Sequence, residues 1–267
     1  MLTVPQTAAL LRTFDNILIL THVRPDGDTV GCAAALCAGL RSLGKTAFLL
    51  PNPELTDTTA PYFRPYEAPE CFTPDKVVST DIATVGLFPE NARPYAERVD
   101  LAIDHHPSFT HFGKANIVRP EAAACGELIY DLLAALGPIT AEMALPLYVA
   151  VSTDTGCFKF SSTKASTHIT AAKLMEAGAH VEELNTLLFD TKSRERMEAE
   201  RIARNHLEYH LDGRCALIYL TRDEIEQSRV DPADLEELTS LPISIEGVKV
   251  GLTLRQQPGG SYRISVR

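Results

Sequence analysis

Four short stretches of the sequence each set an acid, a histidine or both directly after an apolar run: LILTHVRPDGD (18–28), VVSTD (77–81), LAIDHH (101–106) and VAVSTD (149–154). Read as four strands, they can converge, because ligands of open α/β sheets bind in the crevice beyond the carboxyl ends of the strands. His22, Asp26, Asp28, Asp81, His105 and Asp154 then offer four carboxylates and two imidazoles. That mixture suits Mn²⁺ or Mg²⁺, and admits Fe²⁺ or Co²⁺, better than it suits a thiolate-rich structural zinc site. Six ligands are too many for one ion that must also bind substrate, and enough for two that share a carboxylate. Two ions about 3.5–4 Å apart are the standard arrangement for in-line attack on phosphorus.

In HVRPDGD, Pro25 and Gly27 permit a tight loop, and the i, i+2 spacing of Asp26 and Asp28 lets it aim two carboxylates at neighbouring positions. A blander reading of the same loop has Asp28 capping a helix that starts near Thr29. His105 and His106 are adjacent, and successive side chains of an extended chain diverge. One of them is therefore read as a ligand and the other as facing substrate, with Asp104 placed to orient an imidazole or a bound water.

The elements that must position these groups alternate. Apolar runs at 16–21, 46–51, 76–81, 99–104 and 144–154 read as strands, and 29–45 and 124–137 as helices. Such alternation predicts an α/β fold, a mainly parallel sheet with helices on both faces. Residues 190–210 have good helix formers but a thin apolar stripe, which reads as a helical connector. Beyond it, 215–221 and a hairpin over 248–267 turning at Pro258, Gly259 and Gly260 predict a smaller C-terminal α+β domain. A sheet domain of this length that ends on a strand reads as truncated.

The net charge of −10 argues against a coat for long nucleic acid, which rests on clustered Lys and Arg. A small anionic substrate gripped locally remains compatible with it. The six cysteines form no C-x-x-C pair and read as free, mostly buried thiols. With no signal peptide or membrane-length apolar run in the sequence, the expected location is cytoplasmic.

With these residues in view, the sequence resembles the DHH phosphoesterase family, whose four motifs occur here in order as HVRPDGDTVG, STD ending at Asp81, DHH at 104–106 and STDTGCF at 152–158. The resemblance covers the whole chain. It implies a DHH catalytic domain over 1–189, the connector at 190–210, and from 211 to 267 the start of a substrate-binding domain. It also implies two divalent cations, most readily Mn²⁺: His22 and Asp26 on one, Asp28, His105 and Asp154 on the other, Asp81 bridging. His106, with Asp104 behind it, would act on the scissile phosphate or the leaving group.

Within the family the short soluble members are most similar, those that release 5′-mononucleotides from very short RNA and remove the 3′-phosphate of pAp. Cleavage of cyclic or linear dinucleotides is the alternative activity. More distant readings are an inorganic pyrophosphatase, a non-catalytic nucleotide-binding protein and, for assembly, a homodimer. Ser265 and Arg267 match the family's S-x-R strand, whereas its Gly-rich GGGH loop is absent. Arg267 is accordingly expected to contact substrate. Lys159 stands where relatives often carry Arg, and it keeps the charge without the bidentate fork. Phe158 and Phe160 read either as core or as platforms for a base.

Overall fold

The computed structural model describes residues 1–267, and side chains everywhere but at 232 and 233. The chain divides into two compact units, Met1–Asp190 and Thr191–Arg267.

The first unit runs α1 (Val4–Thr13), β1 (Ile17–Leu20), α2 (Gly27–Ser42), β2 (Ala47–Leu49), α3 (Ala60–Phe63), β3 (Lys76–Thr80), β4 (Leu101–Asp104) and β5 (Ala115–Val118). It continues with α4 (Cys125–Leu136), α5 (Ala141–Asp154), α6 (Ala165–Glu176) and α7 (Val181–Asn185). The five strands are all parallel, in the order β2-β1-β3-β4-β5. β1 and β4 are buried along their whole length, as parallel strands covered on both faces must be. On one face Ile17, Ile19, Val78, Leu101 and Ile103 pack under the α-helices. On the other, Leu18, Leu20, Val77 and Ala102 meet Phe88, Ala92 and Phe109, carried by 3₁₀ turns and loops. The strand order reverses direction at the β1/β3 pair, the position where a doubly wound sheet opens its binding crevice.

One expected strand is a helix. Residues 144–154 lie in α5, and Asp154 is the last residue of that helix, beyond no strand end. α5 packs against α2, α4 and α6, and Met143–Ser152 are buried apart from the half-buried Leu145. A helix enclosed in this way is apolar all round and loses its 3.6-residue signature, so Val149 and Val151 mimic a buried strand. The blander reading of the HVRPDGD loop is also corrected. Asp26, rather than Asp28, caps α2, accepting from the Asp28 and Thr29 amides at 3.0 and 3.1 Å. That leaves Asp28 free to turn inward, where it is 1% exposed.

α2 and α5 lie very close, and two glycines permit it. A Cβ on Gly27 would stand 2.3 Å from Thr153 Oγ1, and one on Gly31 would stand 2.1 Å from the Pro146 carbonyl oxygen. This contact sets Asp28, at the start of α2, beside Asp154, at the end of α5. Gly31→Ala is expected to force the helices apart at a cost of about 1–3 kcal/mol. Urea unfolding measures that loss, and an unchanged midpoint would show that the close approach is dispensable.

The second unit comprises α8 (Arg194–Asn205), β6 (Glu208–His210), β7 (Cys215–Leu220), α9 (Arg222–Ser228), α10 (Pro232–Glu237), β8 (Val250–Gln256) and β9 (Tyr262–Val266). Its sheet, β6-β7-β8-β9, is mixed: β7 and β8 are parallel, and β8 and β9 form the expected hairpin. α8, within the stretch 190–210, packs Ala199, Ile202 and Ala203 against Ile218 and Leu220. The buried Glu200 takes ion pairs from Lys192 at 2.7 Å and Arg204 at 3.1 Å, which hold its carboxyl below the ordinary range against the cost of burial. All six cysteines are free, and Cys32, Cys37, Cys125 and Cys215 are buried.

Candidate metal centre

The carboxyl ends of three adjacent strands, β1, β3 and β4, and the C-terminus of α5 bring the six expected ligands together. From the end of β1, His22 fixes its ring by placing Nδ1 2.7 Å from the Val23 carbonyl, which turns Nε2 inward. Nε2 stands 3.5 Å from Asp26 Oδ1 and 3.8 Å from Asp81 Oδ2. Burial works against a charge on His22, yet Asp26 holds its pKa above the ordinary value.

After β3 the chain turns at Asp81 with φ 58°, a left-handed conformation that aspartate tolerates better than most residues. Its amide still donates to the Ile103 carbonyl at 2.8 Å, so the turn stays tied to β4 while the carboxylate enters the centre. From β4, His105 sets Nδ1 3.2 Å from the Ala122 carbonyl. Its Nε2 lies 3.4 Å from Asp154, 3.5 Å from Asp81 and 3.7 Å from Asp28. In this way a backbone carbonyl fixes which imidazole nitrogen faces the acids, for His22 and His105 alike.

The potential ligand atoms fall into groups lying within 4.8 Å of one another: His22, Asp26 and Asp81; Asp28, His105 and Asp154; and Asp81, His105 and His106. Asp81 joins them, its Oδ2 towards His22 and its Oδ1 towards His105. Among the described residues nothing donates to Asp81 Oδ1, although it is buried. Burial, and then the charge of Asp28, push the Asp81 carboxyl well above the ordinary range; burial, then Asp154 and Asp26, do the same to Asp28. Asp154 is raised as well, chiefly by burial. Crowded carboxylates with an orphaned buried oxygen are what divalent cations would relieve, and the oxygen and imidazole donors fit hard or borderline metals.

Asp28 shows a support that no side-chain motif announces. The amides of Cys125 and Gly126, at the N-terminus of α4, donate to its two oxygens at 2.7 and 3.0 Å, and the Cys32 thiol lies 3.2 Å away. A helix N-terminus offers free amides and a favourable dipole to an anion, so α4 anchors a carboxylate without neutralising it. In the sequence this signal was only a helix start at 124–126.

Asp104 is fully buried beneath the two histidines. Its Oδ1 accepts from the His105 amide at 2.7 Å, the His106 amide at 3.3 Å and His106 Nδ1 at 2.8 Å. That last bond is the main reason the His106 pKa rises. The His106 side chain is 42% exposed, and with Nδ1 engaged its Nε2 is the atom left for a bound molecule. Lys159 is exposed, on the turn that follows α5. Arg267 belongs to the second unit, its backbone paired with Gly251 at the end of β9.

Fold and site together define a doubly wound α/β protein whose strand ends hold a carboxylate and imidazole centre of the kind that takes divalent cations. Residues 16–151 match the model of the DHH family, N-terminal domain, and the chain belongs to the DHH family. It is 30% identical over 258 residues, 94% of this chain and 75% of the relative, to the bifunctional oligoribonuclease and PAP phosphatase NrnA of Thermus thermophilus. The Bacillus subtilis protein of the same name is 25% identical over 252 residues, covering 90% of this chain and 78% of that one. In fold, the chain is similar to an exopolyphosphatase-related protein from Bacteroides fragilis, with a TM-score of 0.87 and 24% identity over 99% of this chain and 82% of that one. Among the described residues, no helix is long and apolar enough to cross a membrane.

Proposed function

We propose that the chain is a cytoplasmic phosphohydrolase that releases 5′-mononucleotides from very short RNA and removes the 3′-phosphate of pAp. The observation that carries this reading is Asp81 standing between two ligand groups, with His106 and its buried Asp104 beside it. The names of the Thermus and Bacillus relatives, which pair oligoribonuclease with PAP phosphatase, support the substrate class. In this reading His22 and Asp26 would hold one divalent cation and Asp28, His105 and Asp154 the other, with Asp81 available to both and Mn²⁺ the preferred ion. When bound, the pair supplies Lewis acidity to a phosphoryl group and to the water that attacks it.

The rest of the work falls to the chain itself. Asp104 fixes the His106 ring and favours its protonated form, so that Nε2 can give a proton to the departing oxygen. The α4 N-terminus keeps Asp28 in place, and the Val23 and Ala122 carbonyls keep His22 and His105 turned towards the acids. Residues 211–267, within the second unit, would bind substrate, with Arg267 on a phosphate, and Lys159 would offer a further cation.

A labelled RNA dinucleotide, pAp, cyclic di-AMP and pyrophosphate, each offered with Mn²⁺, test the reading. Mononucleotide from the dinucleotide and AMP from pAp are expected. Turnover confined to pyrophosphate or to the cyclic dinucleotide, or none at all, would reject it.

A further inference from the structure

We infer that Phe160 is a stacking platform for a nucleobase of the substrate and so sets a preference for base-bearing substrates; this rests on the nucleotide reading above. The two phenylalanines that the sequence could not tell apart have separate fates. Phe158 is half-buried, stacked on His168 with centroids 5.0 Å apart and rings 25° from parallel, and near Tyr148. Phe160 is 58% exposed.

The exposed ring is held by its backbone. The chain leaves Asp154 through Gly156, Cys157 and Phe158, all with φ between 54 and 63°. The amides of Lys159 and Phe160 then return to the Thr155 carbonyl at 2.9 and 3.0 Å, and the Phe158 amide meets Thr155 Oγ1 at 3.1 Å. This closed turn brings the distal edge of the Phe160 ring against Gly156, where a Cβ would lie 2.5 Å from Cε1 and Cζ. Gly156 is two residues from Asp154, so the backbone that seats the ring is within about 7 Å of the one carrying that acid. Its neighbours in the chain, Lys159, Ser161 and Ser162, are all exposed. An exposed aromatic ring whose chain neighbour is an exposed cation, on a fixed turn next to a centre suited to phosphoryl chemistry, is a combination by which proteins hold single-stranded nucleotides: the cation meets a phosphate and the ring a base.

The experiment compares a labelled RNA dinucleotide with the same compound lacking the base of its 3′-terminal residue, and with one lacking the base of its 5′-terminal residue. Wild type, Phe160→Ala and Phe160→Trp are all loaded with Mn²⁺. Wild type is expected to favour the complete dinucleotide over one of the two abasic analogues by about tenfold in kcat/KM, within the range of one base–aromatic stack. Phe160→Ala should erase that preference through KM rather than kcat, and Phe160→Trp should restore it. A ring that only shapes the turn would lower turnover of all three compounds together. That outcome, or an undiminished preference in Phe160→Ala, overturns the assignment while the nucleotide reading stands. A wild-type chain inactive on every nucleotide overturns both.

Discussion

Asp81→Asn is expected to abolish phosphoester hydrolysis, by about 10³-fold or more, while making the metal-free protein more stable. The two effects share one cause. Asp81 is 2% exposed, its carboxyl lies well above the ordinary range through burial and the Asp28 charge, and Oδ1 has no donor among the described residues. As a carboxylate without cations it is therefore a buried charge that repels its neighbours, and such a charge costs stability. An amide removes the charge at almost constant shape, and recovering even 1 kcal/mol would raise Tm by roughly 2–4 °C for a unit of this size. The same change removes the group that faces both ligand sets, so added Mn²⁺ should raise the melting temperature of wild type far more than that of the variant. Thermal melts of both proteins in EDTA and in Mn²⁺ measure this. A variant less stable than wild type in EDTA would mean that Asp81 is held by interactions internal to the protein, and the two-cation reading would lose its best support.

How far the centre could be read in advance depended on where each residue sits relative to its own element. His22, Asp81 and His105 follow short parallel strands and Asp104 ends one, so the strand end and the polar residue are visible together. Asp154 lies with Asp28 and His105, but VAVSTD is the end of a helix and not the strand end that its pattern suggests. The residue still arrives, because α5 runs along α2 and their glycine contact sets its terminus beside Asp28. Pattern alone could not separate a helix buried on every side from a buried strand.

What stayed out of reach was backbone. The amides of Cys125 and Gly126 on Asp28, and the carbonyls of Val23 and Ala122 against the imidazoles, have no side-chain signature. β5 is silent in the sequence as well, its four residues too short and too mixed to announce a strand. Phe158 and Phe160 alternate as core or surface residues would, and the left-handed turn that half-buries one and exposes the other decides between them.

Asp104→Asn should separate cation binding from turnover. Asp104 is a member of none of the three ligand groups, yet its Oδ1 receives the His105 and His106 amides and His106 Nδ1. Asparagine can present one oxygen to the same amides, so the loop carrying His105 should hold its course and Mn²⁺ content should stay near that of wild type. The lost negative charge falls on His106, whose raised pKa depends first on that hydrogen bond. An amide also has an N–H that a rotated side chain would turn towards Nδ1, which would select the other ring tautomer. In the Ser-His-Asp enzymes the corresponding change costs about 10⁴ in kcat. Here His106 is partly exposed and its ring retains some freedom, so a fall of about 10²–10³ in kcat is expected, with KM changed much less. Metal content measured beside steady-state kinetics gives the answer. Loss of Mn²⁺ in proportion to activity would show that Asp104 serves the cations through His105, and His106 would then have no claim to the proton of the leaving oxygen.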